Sequence, residues 1–129
     1  MTLKEFLKTE EKIDTRTFGK FVRERREAME ISVRKMSYLL GITPTYLSDI
    51  ERGKRTSPTK CLNALMEVLR ISEDEKDDFK DLAYKSKETL APELIHYLIN
   101  SKEARKAVRF LIDKEVTGEQ FLEMVENNK

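Results

Sequence analysis

The segment between positions 43 and 55 carries the side chains best suited to chemistry at a nucleic-acid surface. Leu47 and Ile50 predict the buried side of a short helix. The opposite side presents polar groups: Thr45, Tyr46, Ser48, Asp49 and Arg52. In the major groove of DNA, hydroxyl groups can bond base edges, threonine and tyrosine can contact thymine methyls, and a carboxylate can accept from a cytosine amino group. A short polar face without bulky aliphatic groups therefore favours insertion into that groove.

Two short amphipathic helices joined at a glycine must position this face. The first has apolar residues at helical spacing: Val33, Met36, Leu39 and Leu40. Gly41 ends it by supplying the positive φ of a left-handed cap. Thr43 is the predicted N-cap of the second helix, and Pro44 its first residue, where a missing N–H costs nothing. This order is typical of a helix-turn-helix motif, here at about residues 33–52.

With its flanking sequence, the motif resembles the Xre family, the helix-turn-helix domain of the Cro and phage-repressor type. The resemblance runs from about Phe18 to Leu82, half of the chain. It rests on four stretches: Phe21–Arg26, Leu40–Thr43, Tyr46–Gly53 and Pro58. It implies an all-α fold, namely a five-helix lambda-repressor-like DNA-binding domain whose third helix contacts the bases.

The resemblance also implies roles for individual residues. Arg26 matches an arginine that pairs with the glutamate matching Glu51, which would tie the first family helix to the end of the third. Gly53 matches the glycine that closes the recognition helix. Lys54 and Arg55 match the loop that approaches the phosphate backbone.

This sequence departs from the family pattern at two positions of the second family helix. Relatives often carry glutamine in place of Val33, where its amide supports the contacts at the groove edge. Ser37 replaces the usual alanine, which is tolerated if its hydroxyl bonds a carbonyl one turn back. The complete set of predicted DNA-binding residues is Val33, Arg34, Thr43, Thr45, Tyr46, Ser48, Asp49, Arg52, Lys54 and Arg55. For Asp49, a pair with Arg52 three residues on is an equal alternative to base contact.

Charge is unevenly distributed along the chain, although the net charge is only +1. Residues 16–60 contain eleven Lys and Arg against five Asp and Glu, whereas residues 71–93 contain four against eight. The basic block coincides with the proposed DNA-binding helices. This matters because nucleic-acid affinity depends on cations gathered on one face.

The cap signals predict three regions: an N-terminal helix in residues 1–13, the helix-turn-helix domain in residues 14–87 and a C-terminal helical extension in residues 88–129. Predicted helix starts lie at Thr2 with Glu5, at Asp14 or Thr15, at Ser57-Pro58 and at Ser72 with Glu75. The N-terminal helix is expected to pack on the domain or on a partner subunit.

The extension contains three predicted amphipathic helices, which begin at Pro92, at Ser101 and at Thr117 with Gln120. Their apolar faces must be buried against something. They either fold back on the first domain or pair with a second copy. A homodimer is expected, because two recognition helices read half-sites about one turn apart and gain affinity from linked binding.

Composition argues against other classes of protein. No segment predicts a membrane span or a signal peptide, so we expect a cytoplasmic protein. Cys61 is the single cysteine and is predicted to be buried in packing; His96 is the single histidine. Without a second such ligand or a glycine-rich phosphate loop, we expect no catalytic residues, metal or cofactor.

These observations predict a sequence-specific transcriptional regulator, a repressor that binds a palindromic operator in double-stranded DNA as a dimer. The alternative is an antitoxin-like or adaptor protein whose helical tail binds a partner protein.

Overall fold

A computed structural model describes residues 2–9, 16–56 and 59–128, in which no β-strand occurs. Nine α-helices lie in these ranges: α1 (Leu3–Thr9), α2 (Thr17–Ala28), α3 (Val33–Leu40), α4 (Pro44–Glu51), α5 (Leu62–Val68), α6 (Lys76–Lys85), α7 (Pro92–Asn100), α8 (Lys102–Asp113) and α9 (Gly118–Glu126). Short 3-10 turns, Thr59–Cys61 and Glu73–Glu75, precede α5 and α6. The helices group into two compact units, Met1–Ala91 and Pro92–Lys129. The all-α class is confirmed, with α2 to α6 as the five family helices.

Local capping signals account for most helix boundaries. Thr43 Oγ1 accepts a hydrogen bond from the Tyr46 N–H at 3.1 Å, and Gly41 adopts φ 71° after α3. Reciprocal capping boxes occur at Thr2 with Glu5, Ser72 with Glu75 and Thr117 with Gln120. These predictions are confirmed; the helix starts predicted at Asp14 or Thr15 and at Ser57-Pro58 lie outside the described residues.

Aromatic rings form the centre of the first unit. Phe21 lies between Phe6 and Phe79, with ring centroids 5.3 Å and 5.9 Å away. Phe6 and Leu3 are fully buried on α1, which therefore packs on its own domain, one of the two positions expected from the sequence. Burying such side chains contributes about 1.5–3 kcal/mol each.

Glu75 ties α1 to the domain. Its Oε2 accepts from the Leu3 N–H at 2.7 Å and from Arg25 Nη2 at 3.2 Å, while Oε1 accepts from the Ser72 N–H at 3.1 Å. Partial burial opposes ionisation, but the hydrogen bonds from Leu3 and Ser72 and the Arg25 charge together lower the pKa of Glu75 below its ordinary value of 4.5.

Two side chains expected inside lie further out. Leu39 is 50% exposed because the short helix α3 turns Met36, Ser37 and Leu40 inward, and Leu39 falls off that face. Cys61 is half-buried, at the end of a 3-10 turn, and this burial raises the pKa of its thiol.

The second unit contains amphipathic helices without a closed core. α7 packs against α8, and Arg105 Nη1 donates to the Leu98 and Ile99 carbonyl oxygens at 2.7 Å and 2.5 Å. No side chain described between 92 and 128 is buried. Large apolar side chains that remain exposed are Leu94, Tyr97, Ile99, Phe110, Ile112, Phe121, Leu122, Met124 and Val125.

We expect Glu75→Gln to lower the free energy of unfolding by about 1.5–3 kcal/mol at pH 7, because hydrogen bonds to a charged acceptor are lost. A lowered folded pKa stabilises the fold above the unfolded value and loses that effect as the pH falls through it. Urea unfolding should therefore show wild type and variant converging below pH 4.5. Glu67→Gln, which neutralises an exposed carboxylate, is the control. A difference that stays constant down to strongly acidic pH would contradict this role.

Candidate nucleic-acid interface

Close packing of α2 against the end of α4 sets the position of the recognition helix. Leu47 and Ile50 are buried on the inner side of α4. A Cβ on Gly19 would overlap the Ile50 carbonyl oxygen and lie 2.9 Å from that of Glu51. Only glycine therefore allows this helix approach. Gly19 was not predictable as a site of close contact, because a glycine inside a helix does not indicate from sequence which backbone it meets.

A buried ion pair fastens the same two helices. Arg26 Nε donates to Glu51 Oε2 at 2.7 Å, and Arg26 Nη2 donates to Glu51 Oε1 at 3.0 Å. Arg26 Nη1 also donates to the Ile31 carbonyl at 2.8 Å. The hydrogen bond to Glu51 outweighs burial and raises the pKa of Arg26. Because both groups are buried, this geometry fixes the end of α4 relative to α2 and to the chain entering α3.

The loop after α4 is bound back to the helix. Gly53 adopts φ 75°, and a Cβ there would meet the side chain of Arg16. The Asp49 carbonyl accepts from the Lys54 N–H at 2.8 Å and from the Arg55 N–H at 3.3 Å. The loop thus presents two exposed cationic side chains beside the recognition helix.

The structure places the predicted DNA-binding residues on three consecutive segments: the start of α3 with Val33 and Arg34, α4 and its cap with Thr43, Thr45, Tyr46, Ser48, Asp49 and Arg52, and the following loop with Lys54 and Arg55. Thr45 is exposed, whereas Tyr46 is half-buried and packs against the core. Val33, Ser48 and Arg52 line one groove together with Arg23.

Asp49 forms an ion pair with Arg52, which is one of the two roles predicted for it. Arg52 Nη2 is 3.1 Å from Asp49 Oδ1, and Arg52 Nε lies 3.4 Å from the Ser48 carbonyl. The Arg52 side chain is 54% exposed, so solvent screens the pair and its net energy is small. The Asp49 side chain is 24% exposed, so solvent still reaches it.

Pairing of the α4 carboxylates leaves this surface cationic. Glu51 is neutralised by Arg26 inside the domain, and Asp49 is paired with Arg52. Arg34, Lys35, Lys54 and Arg55 remain exposed around the helix. Ser37, which replaces the usual alanine of the family, donates its hydroxyl to the Arg34 carbonyl at 2.9 Å. The hydroxyl therefore has a partner within α3.

The described parts of the chain offer no competing metal site or membrane span. They hold no group of three or more His, Cys, Asp and Glu side chains suited to a metal ion. Among the same residues, no helix is both long and apolar enough to cross a bilayer.

Comparison with known proteins agrees with this geometry. A family model described as a helix-turn-helix domain matches residues 17–79, just under half of the chain. Residues 17–79 therefore carry a helix-turn-helix domain, and the resemblance to regulators of the Cro and phage-repressor type inferred from the sequence is confirmed.

Relatives share this part of the chain. It is 35% identical over 54 residues to the uncharacterized HTH-type transcriptional regulator Rv0474 of Mycobacterium tuberculosis, a match covering 42% of this chain and 39% of the relative. It is 29% identical over 59 residues to the ImmF control region 10 kDa protein of Bacillus phage phi105, covering 46% and 66%. The chain thus spans about two fifths of the mycobacterial relative.

Two solved structures have similar backbones. The clp gene regulator ClgR from C. glutamicum gives a TM-score of 0.45 at 20% identity, covering 64% of this chain and 99% of the other. The SinR protein/SinI protein complex gives 0.42 at 25% identity, covering 86% and 93%. Both TM-scores lie below 0.5, which is too low to define the fold. The fold is instead established by the helix geometry and the family match.

We expect Glu51→Ala to lower the free energy of unfolding by about 3–5 kcal/mol, because it leaves the buried Arg26 charge uncompensated. The double variant Arg26→Met/Glu51→Leu should recover most of that loss, since apolar side chains can fill the same space. Denaturant unfolding of the three proteins measures both effects. A loss below about 1 kcal/mol in Glu51→Ala would show that the pair does not fix α4.

Proposed function

We propose that this protein is a transcriptional repressor that binds a palindromic operator as a homodimer and hinders RNA polymerase there. The observation that carries this proposal is the exposed polar side of α4, bordered by cations, within a helix-turn-helix domain. The relatives' names as HTH-type transcriptional regulators support the regulatory class.

Base contacts are assigned to the outer side of α4. Thr45 is exposed and offers both a methyl group and a hydroxyl to a base pair. Tyr46 and Asp49 lie one and four residues further on, within reach of neighbouring base pairs. A helix of eight residues covers only a few base pairs, so these contacts alone give limited specificity.

Phosphate contacts are assigned to the cations on either side of that helix. Arg34 lies at the start of α3, and Lys54 and Arg55 lie in the loop after α4. The backbone N–H groups at the N-termini of α3 and α4 add positive potential that favours binding of the DNA phosphates. Such contacts set register and orientation without reading sequence.

Dimerisation is assigned to the C-terminal helices. The α9 helix is exposed throughout its described length, yet it carries Phe121, Leu122 and Val125 along one side. Short helices of this kind are marginal alone and are stabilised by packing an apolar face. A second copy would cover these faces and bring two recognition helices to one palindrome.

Selection of bound fragments from random duplex DNA tests the operator proposal, and palindromic sequences should be recovered. Thr45→Ala should change the preference at one or two positions, by about 1–3 kcal/mol each. Lys54→Ala should weaken binding evenly across sequences and reduce the salt slope by about 0.9. Lys4→Ala, on α1, is the control for a lost surface cation. Recovery of unrelated sequences by the parent protein would refute sequence-specific binding.

Light scattering of the intact chain tests the dimer. The parent protein should have the mass of two chains, and Leu122→Glu should shift it to one, because a buried carboxylate disfavours the apolar contact. Asn127→Glu adds the same charge at a polar position as a control. A parent protein that stays monomeric at high concentration would refute the pairing. A stable complex with a different protein through these helices would favour the antitoxin-like or adaptor alternative.

A further inference from the structure

The Arg55 side chain folds back over the recognition helix. Its Cζ lies 5.0 Å from the centroid of the Tyr46 ring, within the range of a cation–π contact. We propose that Tyr46 is a positioning residue whose ring holds the Arg55 guanidinium against α4, ready to bind a DNA phosphate. This inference rests on the proposed function, and it assigns the Tyr46 ring a task separate from base contact.

The Tyr46 ring is a firm support. It is half-buried and packs against the hydrophobic core, so the core limits its movement. The Tyr46 backbone is held as well, since its N–H donates to the Thr43 cap. The ring thus has a fixed place near the beginning of α4.

The main chain of Arg55 is anchored to the same helix. Its N–H shares the Asp49 carbonyl with that of Lys54, and the turn that allows this passes through Gly53 at φ 75°. With the backbone and the ring both fixed, the contact selects one direction for a long side chain that would otherwise sample many rotamers.

The contact leaves the chemistry of the guanidinium available. The guanidinium has five N–H donors in a planar fork, and a cation–π contact uses its charge without taking up these donors, so it can still form a bidentate bond to phosphate. Among the described residues, Arg55 has no carboxylate partner, so its charge is uncompensated. A lysine at this position could supply charge, but it lacks the planar fork.

The hydroxyl of Tyr46 is separable from this task. It makes no hydrogen bond to any other residue that the structure describes. Tyr46→Phe would keep the support for Arg55 and remove only the hydroxyl. Tyr46→Leu would fill the core but remove the aromatic face.

A double-mutant cycle on a mixed-sequence DNA duplex tests the proposal. Tyr46→Leu should raise Kd about two- to fivefold, the factor expected of an exposed cation–π contact. Tyr46→Phe keeps the aromatic face and should raise Kd by less than Tyr46→Leu does. In an Arg55→Ala background, Tyr46→Leu should lose most of its effect, because the guanidinium that the ring holds is already absent. In the matched Lys54→Ala background, its effect should persist in full. A general disturbance of the fold would act in both backgrounds.

Arg55→Lys keeps the test decisive if Tyr46→Leu fails to fold, because a surface substitution leaves the core intact. It should raise Kd by a similar factor while preserving the salt slope. The positioning role would be overturned if Tyr46→Leu raised Kd equally in the Arg55→Ala and Lys54→Ala backgrounds. It would also be overturned if the Arg55→Lys protein bound DNA like the parent. In that event, continued recovery of palindromes by the parent would leave the proposed function standing. A parent that binds no duplex would overturn both.

Discussion

The approach of α2 to the end of α4 is the constraint on which the recognition surface depends. Gly19 lets one backbone reach the Ile50 carbonyl, and the bidentate bond between Arg26 and Glu51 fixes the helices at that separation. The α4 helix has only eight residues and would not be stable alone. Its orientation, and thus the direction of its outer side chains, is set by this tertiary contact.

The same contacts shape the electrostatics of the surface. Glu51 is buried in its pair with Arg26, so this carboxylate is absent from the outer face of α4 that would meet DNA phosphates. The Asp49 carbonyl, at the end of α4, accepts hydrogen bonds from the backbone of the loop and so keeps Lys54 and Arg55 beside the helix. The C-terminus of α4 therefore both packs against α2 and holds the loop that carries Lys54 and Arg55, so we expect substitutions there to affect both stability and DNA binding.

Local features were predictable because they depend on neighbours in sequence. Gly41, Thr43 and the capping boxes act within one turn, and their outcomes match. Features set by distant packing were not. Glu75 seemed to be only a capping residue, yet it also binds α1, and the Tyr46 contact with Arg55 depends on a loop conformation that no periodicity reveals. The pairing of Arg26 with Glu51 came from family resemblance, since spacing alone does not predict a bond across 25 positions.

Amide chemical-shift mapping during titration with an operator duplex shows which surface of the protein DNA contacts. The largest shifts should fall in residues 43–55 and at the start of α3, while helix α6 and the acidic turn before it, Glu73–Glu75, should change little. Shifts concentrated in α6 or α9, with α4 unaffected, would contradict this prediction, because DNA would then bind a surface other than the recognition helix.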